Sequence, residues 1–475
     1  MLPFQNNTGL YTDHYELTMA QGYFLSGRHE KKACFDYFFR KAPFGGSFVV
    51  FAGLSTAIRM IESFNYSESD CAYLKSIGFD NRFVEYLQNF SFNGNIYSVK
   101  EGELIFPNEP ALRVEGTILE TQLVETLLLN ILNFESLIAT KACRIRQAAG
   151  DKLLLEFGLR RAQGLGGINA SKAAIIGGFD KTSNVFSARH FGLESSGTMA
   201  HSWIQSFDDE LEAFRTYANY FPDSCTLLVD TYNTLRSGVP NAIKVAGELR
   251  QKGHQLVGIR LDSGDLNDLS KKARKMLDEA GCTEVKIVAS NQLDETIIQS
   301  LLLEGAPIDV FGVGTSVATG KNDAALDGVY KLSFFDEQPS IKVSDNLSKM
   351  TLPGIKTIHR FLDRENLFCA DGISLDHEKN YEVIYHPTEA GQHKKISDCR
   401  KESLIHPVMR DGNSIQNDQE LIKIAAYTKS RLQQLPKEYK RFLNPHVYKV
   451  GISEELLNTR NHLAKQYLKK DPYKF

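Results

Sequence analysis

The sequence predicts an α/β protein: a TIM-like, irregular α/β barrel with an α+β domain built from the N-terminal and C-terminal regions. Two observations favour the barrel. Between about residues 151 and 355, short apolar runs alternate with amphipathic segments that end in glycine, a pattern typical of parallel strands joined by helices. Polar residues follow every one of these runs, and in a barrel all carboxyl ends of strands meet at one mouth.

The first 150 residues mix helices and strands without a repeat. Residues 15–27 predict a helix closed by Gly27, and residues 33–53 predict two strands around a Gly-Gly turn. Residues 121–150 carry apolar side chains at helical spacing and end at Gly150, which predicts long, largely buried helices.

The barrel region contains seven apolar runs, and amphipathic segments at 239–253, 266–281 and 294–305 separate the later ones. A doubly wound sheet is the alternative, but the GxGxxG sequence of dinucleotide-binding sheets is missing. The runs are DKLLLEFG, KAAIIGGFDKTSN, SSGTMAHSW, CTLLVDTYNT, HQLVGIRLDSGD, EVKIVASNQLDE and IDVFGVGTSVATG.

We therefore expect three regions. Residues 1–150 form an N-terminal α+β domain, and residues 151–355 form the TIM-like barrel, which is the catalytic domain. Residues 356–475 form a smaller C-terminal domain that packs partly with the N-terminal region; this segment is rich in lysine and ends in a helix.

Composition excludes several classes of protein. A net charge of -3 with interspersed signs argues against nucleic acid as a partner, and 42% hydrophobic residues is ordinary for a globular protein. The seven cysteines are widely spaced and odd in number, so we expect free thiols in a reducing compartment. The N-terminus lacks the pattern of a secretory signal, and runs such as AIIGG are too short to span a bilayer. We expect a cytoplasmic protein with no membrane partner.

The residues after the strands point to a phosphorylated sugar as substrate. Arginines grip carboxylates or phosphates in bidentate fashion, and the turn GVGTS offers backbone N–H groups and a hydroxyl to a phosphate. Asp262 could hold sugar hydroxyls, Mg²⁺ or a cationic transition state. The candidates are Phe157, Arg160, Arg161, Asp180, Lys181, Thr182, Ser183, Thr198, His201, Asp230, Asn233, Arg260, Asp262, Ser263, Asp265, Ser290, Asn291, Gly312, Gly314, Thr315 and Ser316.

Each candidate also has a purely structural interpretation. Asp265 could be only a helix N-cap, Arg160 or Arg161 could pair with surface acids, and GVGTS could be only a turn. His201 by itself is more often a structural histidine. We place it on the loop before a helix capped by Ser206 or Asp208, exposed at the barrel mouth, which favours a function.

Taken in order, these segments resemble the nicotinate phosphoribosyltransferase family. The resemblance covers most of residues 8–355, with only a vague likeness beyond. It is carried by YTDHYELTMAQGYF, FDYFFRKAPFGGSFVVFAGL, FGLRRAQG, GGFDKTSN, GTMAHSW, VDTYNT, GIRLDSGDL and FGVGTSVAT.

The resemblance implies an enzyme of NAD biosynthesis that joins nicotinate to 5-phospho-α-D-ribose 1-diphosphate while ATP is hydrolysed. It also implies Mg²⁺ as cofactor, ATP as co-substrate and a homodimer with a shared active site. His201 would be the phosphorylated histidine. Asp262 would be the second catalytic residue.

Binding roles follow from the same resemblance. Tyr15, reaching in from a partner subunit, and Phe157 would cover the two faces of the nicotinate ring, while Arg260 and Thr198 would hold its carboxylate. Arg160, Ser183, Gly314 and Thr315 would bind phosphoribosyl diphosphate. The metal ligands stay unassigned.

The pyridine nitrogen needs no deprotonation to attack the anomeric carbon, so His201 is not cast as a general base. Phosphate on its imidazole would instead couple ATP to substrate affinity. Three alternatives stay open: a nicotinamide-using enzyme, a quinolinate-using enzyme, and a barrel that binds ligands without catalysis.

Overall fold

The computed structural model describes residues 7–343, 350–389, 391–416 and 419–470. The chain folds as two compact units. Unit 1 consists of Met1–Thr140, Ala325–Gln419 and Ala426–Phe475, and unit 2 consists of Lys141–Ala324 and Glu420–Ala425. Unit 1 therefore joins N-terminal and C-terminal segments. The division into three regions at residues 150 and 355 stays a prediction.

Unit 1 contains a seven-stranded antiparallel sheet in the order β13-β12-β1-β5-β3-β19-β20. Its strands come from both ends of the chain, and β1 pairs with β12 and β5. The strands are β1 (Lys32–Phe39), β3 (Asn95–Ser98), β5 (Leu112–Thr117), β12 (Gly328–Phe335), β13 (Gln338–Pro339), β19 (His406–Arg410) and β20 (Asn413–Ser414).

Helices cover this sheet and supply much of one large apolar core. The predicted helix at residues 15–27 is present as α1, and Gly27 follows it with a positive φ of 70°. The helices are α1 (His14–Leu25), α2 (Leu54–Glu62), α3 (Glu68–Ser76), α4 (Asn81–Gln88) and α5 (Ile118–Leu123). The second predicted strand is β2 (Val49–Val50), which pairs with β4 (Leu104–Ile105) and not with β1.

A second, six-stranded sheet of unit 1 has the order β17-β16-β21-β15-β14-β18. Buried Arg360 on β14 donates to Asp371 on β15 and to Glu103, so its charge is balanced inside the protein. The elements are β14 (Lys356–Leu362), β15 (Phe368–Leu375), β16 (Val383–Tyr385), β17 (His393–Lys395), β18 (Arg400–Ser403), α15 (Leu421–Gln434), β21 (Val450–Ile452) and α16 (Glu454–Lys470).

One long helix, α6 (Glu125–Ala149), follows α5. Among the described residues, 118–149 is the one helical stretch whose length and apolar composition would suit a membrane span. This corrects the expectation that all apolar stretches are too short. Most of its apolar part is buried inside the protein, as in a core helix.

Unit 2 contains a six-stranded, wholly parallel half-barrel sheet in the order β7-β6-β11-β10-β9-β8. The α/β class is therefore confirmed. The elements are β6 (Leu153–Glu156), α7 (Gly166–Ile176), β7 (Lys181–Thr182), α8 (Val185–Phe191), α9 (His201–Gln205), α10 (Glu210–Tyr220), β8 (Thr226–Leu228), α11 (Val239–Gln251), β9 (Gly258–Leu261), α12 (Leu266–Glu279), β10 (Lys286–Ser290), α13 (Glu295–Leu303), β11 (Val310–Val313) and α14 (Thr315–Ala318).

Two predicted strands differ from the structure. The run KAAII ends helix α7, and only Lys181–Thr182 after it form a strand. The segment before His201 contributes one bridge, in which Ser195 pairs in parallel with Thr182. An apolar run of five residues fits a buried helix as well as a buried strand, so the local pattern could not separate the two.

Candidate active site at the carboxyl ends of the parallel strands

Four of the predicted residues come directly after the ends of parallel strands, and a fifth lies within one of these strands. Phe157 comes after β6, Ser183 after β7, Asp262 after β9 and Gly314 after β11, while Arg260 lies within β9. Parallel strands place their carboxyl ends at the same edge of a sheet. The topology of unit 2 therefore gathers side chains that are up to about 150 residues apart in the chain.

Arg260 is the centre of the contacts at this edge. Its Nε donates to Ser290 Oγ at 2.9 Å, and its Nη1 donates to Thr198 Oγ1 at 2.9 Å and to the Met199 carbonyl at 3.3 Å. Its Nη2 donates to Asp262 Oδ1 at 2.8 Å. Four of the five guanidinium N–H groups are thus engaged. Arg260 therefore connects the residues of this edge by hydrogen bonds, and most of its N–H groups already have an acceptor.

Asp262 lies between Arg260 and His201. Its Oδ2 is 3.8 Å from His201 Nε2, and its Oδ1 also accepts from Ser290 Oγ at 2.5 Å. Asp230, after β8, accepts from the Asp262 backbone N–H at 2.9 Å and from Ser263 Oγ at 2.6 Å. The turn that carries Asp262 is therefore held by a second carboxylate. Asp230 acts on the position of Asp262 through the backbone.

His201 is the first residue of α9 and not a loop residue. Its Nδ1 lies 3.0 Å from Thr231 Oγ1, and its side chain is 39% exposed. The next helix, α10, is capped by Asp209 and not by Ser206 or Asp208. The imidazole thus has one nitrogen held by a hydroxyl and the other beside a carboxylate. Asp265 caps α12, as its structural interpretation proposed.

Phe157 joins the contacts of Arg260. Its ring centroid is 5.8 Å from the Arg260 guanidinium carbon, within range of a cation–π contact. A Cβ on Gly312 would come 2.5 Å from the Phe157 ring, so glycine is required for the ring to lie against β11. A Cβ on Gly314 would come 3.0 Å from the Phe157 carbonyl oxygen. These two glycines let the strand ends of β6 and β11 approach closely.

Glu156, which is buried directly before Phe157, is not among the residues predicted from the sequence. One carboxylate oxygen accepts from the Gly158 N–H, and the other accepts from Ser171 Oγ at 2.9 Å and Thr182 Oγ1 at 2.6 Å. Glu156 therefore joins the ends of β6 and β7 to helix α7. The available signal was a lone acid at the end of the apolar run LLLE, a residue type that is rarely buried without partners.

The contacts above do not include every predicted residue. Arg160, Arg161 and Thr315 are exposed at the same sheet edge. Ser183 is half-buried, and its N–H donates to the Glu156 carbonyl at 2.8 Å. Tyr15 belongs to unit 1, where it is the second residue of α1 and is 47% exposed. Burial and a hydrogen bond with Glu16 raise the pKa of Tyr15.

Among the described residues, no group of three or more His, Cys, Asp or Glu side chains is placed to hold a metal alone. Mg²⁺ often uses one or two carboxylates and completes its shell with water and substrate phosphates. Asp230 Oδ1 is buried and has no hydrogen-bond partner. Asp230 and Asp262, which are joined through the Asp262 backbone N–H, are therefore the carboxylates whose chemistry suits such an ion.

The comparisons with known proteins agree along the whole chain. Residues 10–133 match the nicotinate phosphoribosyltransferase (NAPRTase) N-terminal domain, residues 153–366 match the NAPRTase family, and residues 355–460 match its C-terminal domain. Nicotinate phosphoribosyltransferase of Bacillus subtilis is 45% identical over 461 residues, which cover 95% of this chain and 94% of that protein. The chain belongs to the nicotinate phosphoribosyltransferase family.

Other relatives of this nicotinate phosphoribosyltransferase family member extend the likeness. The protein of the same name from Dictyostelium discoideum is 38% identical, covering 96% of this chain and 88% of that protein. The crystal structure of human nicotinic acid phosphoribosyltransferase superposes with a TM-score of 0.85 at 33% identity, covering 95% of this chain and 99% of that one. The likeness thus reaches past residue 355, where the sequence analysis saw only a vague similarity.

A more distant structure shares the fold alone. The nicotinate-nucleotide pyrophosphorylase of Pyrococcus furiosus superposes with a TM-score of 0.71 at 24% identity, covering 90% of this chain and 95% of that one. The architecture therefore persists where sequence identity has become low.

Proposed function

We propose that this chain joins nicotinate to 5-phospho-α-D-ribose 1-diphosphate, giving nicotinate mononucleotide and pyrophosphate, in the salvage branch of NAD biosynthesis. ATP is hydrolysed alongside. One observation carries the proposal: Phe157, Arg260, Asp262 and His201 form a continuous chain of contacts at the strand ends of a family member.

The pyridine nitrogen attacks the anomeric carbon as pyrophosphate leaves, so positive charge develops on the ribose ring. A carboxylate beside that charge lowers the barrier, and Asp262 is the acid we assign to this role. Phe157 stacks on one face of the nicotinate ring, and the partner subunit's Tyr15 covers the other. Holding both reactants side by side contributes further, up to about 7–11 kcal/mol for well-oriented reactions.

Arg260 and Thr198 select the acid over the amide. A guanidinium pairs more strongly with a carboxylate than with a neutral amide. Because four of its five N–H groups are engaged, Arg260 has one N–H group available for the nicotinate carboxylate. A bidentate contact needs a second N–H group, so the carboxylate must replace the Met199 carbonyl as the acceptor on Nη1. Nicotinate binding therefore includes a small rearrangement around Nη1.

His201 receives the γ-phosphoryl group from ATP, and ADP leaves. Water later cleaves the phosphohistidine to release phosphate. Thr231 holds Nδ1, so Nε2 is the nitrogen that takes the phosphoryl group. The added negative charge lies beside Asp262 and changes the affinity of the site for its anionic substrates. Energy from ATP then enters through the difference in binding between the two forms of the enzyme.

Arg160, Ser183, Gly314 and Thr315 bind phosphoribosyl diphosphate, with the 5-phosphate on the backbone of Gly314 and Thr315. Asp230 and Asp262 would hold Mg²⁺. When bound, the ion neutralises charge on the departing diphosphate. Ser183 owes its position to Glu156, whose carbonyl it contacts.

We also infer that unit 2 closes as an irregular TIM-like barrel. In this sheet the first strand of unit 2, β6, lies beside its last strand, β11. Contact between the first and last strands is typical of a closed barrel and uncommon in an open sheet. The gap lies between the segment of Ser195 and β8. Contacts from Arg260 to Thr198 and from His201 to Thr231 cross it. A cytoplasmic homodimer with a shared site completes the proposal.

The test is to incubate the purified chain with nicotinate, phosphoribosyl diphosphate and Mg²⁺, with and without ATP, and to measure nicotinate mononucleotide. We expect synthesis that ATP stimulates. In His201→Asn the stimulation should vanish while slow, ATP-independent synthesis survives. His190→Asn, which changes an exposed histidine of α8, is the matched control and should keep it.

The same assay separates the alternatives. A nicotinamide-using enzyme would give equal or higher kcat/KM with the amide, and a quinolinate-using enzyme would release CO₂. A barrel without catalysis would give neither product nor phosphohistidine with labelled ATP. Stimulation by ATP that persists in His201→Asn would refute the role of that residue.

A further inference from the structure

Two cysteines of unit 1 lie together in the second sheet. The Sγ atoms of Cys369 and Cys399 are 3.3 Å apart, although the residues are 30 positions apart in the chain. Both side chains are half-buried, whereas Cys34, Cys71, Cys143, Cys225 and Cys282 are buried. All seven cysteines are free thiols, as expected from the sequence, but these two are neighbours in space.

A bulge accounts for the short distance. In the pairing of β14 with β15, Phe361 lies opposite Ala370 and Leu362 lies opposite Phe368, so Cys369 is the extra residue. Cys399 directly precedes β18, which pairs with the other side of β14 at Leu362. A bulge changes the direction of a side chain. Here it brings Cys369 of β15 next to Cys399, which precedes β18, although β15 and β18 lie on opposite sides of β14.

The surroundings permit exchange chemistry at this pair. Lys394 donates from Nζ to the Cys369 carbonyl at 3.0 Å, and its positive charge acts on the Cys399 thiol. Burial and the neighbouring Cys369 raise the pKa of the Cys399 thiol to about 11. Cys399 is therefore protonated at neutral pH, so we assign the first attack to Cys369.

We propose that Cys369 and Cys399 are a modification site. The two cysteines form a reversible intramolecular disulfide when a low-molecular-weight disulfide, such as oxidised glutathione, acts as the oxidant. The Cys369 thiolate attacks one sulfur of the oxidant, which releases one thiol and leaves a mixed disulfide. Cys399 then loses its proton and attacks the Cys369 sulfur, releasing the second thiol. Two electrons and two protons pass from the pair to the oxidant.

The second step follows readily from the first. Once Cys369 is in a mixed disulfide it carries no negative charge, so its own contribution to the raised pKa of Cys399 is removed. The sulfurs then need to approach by only about 1.3 Å to reach the bond length of roughly 2.05 Å. The bond links the bulge of β15 to the start of β18 across β14.

The experiment exposes the native, full-length chain to oxidised glutathione at pH 8, quenches with acid and titrates thiols after denaturation. We expect the count to fall from seven to five, with a mass loss of about 2 Da and one cross-linked peptide that contains both residues. Dithiothreitol should restore all seven. The oxidised chain should also unfold at a temperature several degrees higher.

Single variants test whether the cross-link joins these two cysteines. In Cys369→Ser and Cys399→Ser no internal bond can form, so oxidation should leave the chain uncross-linked, with at most a glutathione adduct on the remaining cysteine. Both variants change a half-buried side chain by one atom, and far-ultraviolet circular dichroism checks that they fold. Seven thiols after oxidation of the native chain, a separate adduct on each cysteine, or a cross-link to a buried cysteine would overturn the proposal.

Discussion

The guanidinium of Arg260 donates to Ser290, Thr198 and Asp262, three residues from three different segments of unit 2. Its role is therefore double. It holds Asp262 in place, and it offers a positive charge where the nicotinate carboxylate is proposed to bind. Loss of this one side chain should affect both substrate choice and the position of an acid.

Replacing Arg260 by Gln should lower kcat/KM for nicotinate by about 10–100-fold, because a hydrogen bond to a charged group contributes roughly 1.5–3 kcal/mol. The preference for nicotinate over nicotinamide should shrink by a similar factor. Steady-state kinetics with both substrates measure this. Arg215→Gln, which removes an exposed partner of Glu248, is the control and should leave the ratio unchanged.

Glu156→Gln tests the buried carboxylate that joins β6 and β7. The carboxylate accepts three hydrogen bonds, and an amide cannot accept all of them with its nitrogen. We expect kcat/KM for phosphoribosyl diphosphate to fall about tenfold with the fold retained, since Ser183 and Phe157 would shift. Ser171→Ala removes one donor away from the strand ends and should cost less; an equal loss in both would contradict the role given to Glu156.

At this scale the sequence pointed to most side chains but not to their partners. His201, Arg260 and Asp262 follow strand-like runs and were predictable from that position. Glu156 was not, because an acid that ends an apolar run looks like a surface residue until its three donors are known. Those donors come from Gly158, Ser171 and Thr182, and a local pattern carries no information about the last two.

Helix α1 carries a buried acid, Glu16, beside Tyr15. Burial raises the pKa of Glu16 to about 7, and its Oε1 has no hydrogen-bond partner, which suits a protonated acid. Gln122 donates to its other oxygen. The helix that presents Tyr15 therefore contains a group that changes charge near neutral pH.

The pKa of Glu16 is higher in the folded chain than its ordinary value of 4.5. The folded state thus binds a proton on Glu16 more tightly than the unfolded state does. This contribution to the free energy of unfolding is complete below pH 4.5 and is lost as pH rises to about 7. The loss is up to about 3 kcal/mol. Glu16→Gln should show a thermal midpoint that falls less between pH 5 and 7 than that of the unchanged chain.

Parallel curves for the two proteins would contradict the raised pKa. Glu125 lies nearby and its pKa is also raised, mainly by burial. Because Glu125 is present in both proteins, the difference between the two curves reports on Glu16.

Element boundaries show where periodicity was enough and where it failed. Helices α11, α12 and α13 were predicted from amphipathic segments with terminal glycines, and the structure confirms them. The run KAAII was assigned to a strand and is helical. A segment buried on all sides loses the contrast between apolar and polar faces, so neither the helical nor the strand period can be recognised.

For the whole molecule, the proposed homodimer predicts complementation. If the partner subunit's Tyr15 completes each site, Tyr15→Ala and His201→Asn damage different halves of a shared site. Mixing these two variants at equal amounts under subunit exchange should restore ATP-stimulated activity to about a quarter of the original. Mixing Arg260→Gln with His201→Asn, whose changes lie in one subunit's part of the site, should restore none.

Absence of recovery in the first mixture, with subunit exchange verified by mass spectrometry of tagged chains, would contradict a shared site. It would leave the roles of Arg260 and Asp262 within unit 2 untouched. The two levels of the proposal are therefore separable.

The sequence by itself determined the α/β class, the family and the sheet edge at which most of the candidate residues meet. Alternating apolar runs and amphipathic segments are local patterns, and parallel strands bring their polar ends to one edge whatever else the chain does. Only the tertiary structure decided that Arg260 is already engaged, that Glu156 holds two strand ends, and that Cys369 meets Cys399. The first two depend on strand register, and the third depends on a bulge in β15. Both bring distant segments of the chain into contact, and short-range periodicity carries no information about such contacts.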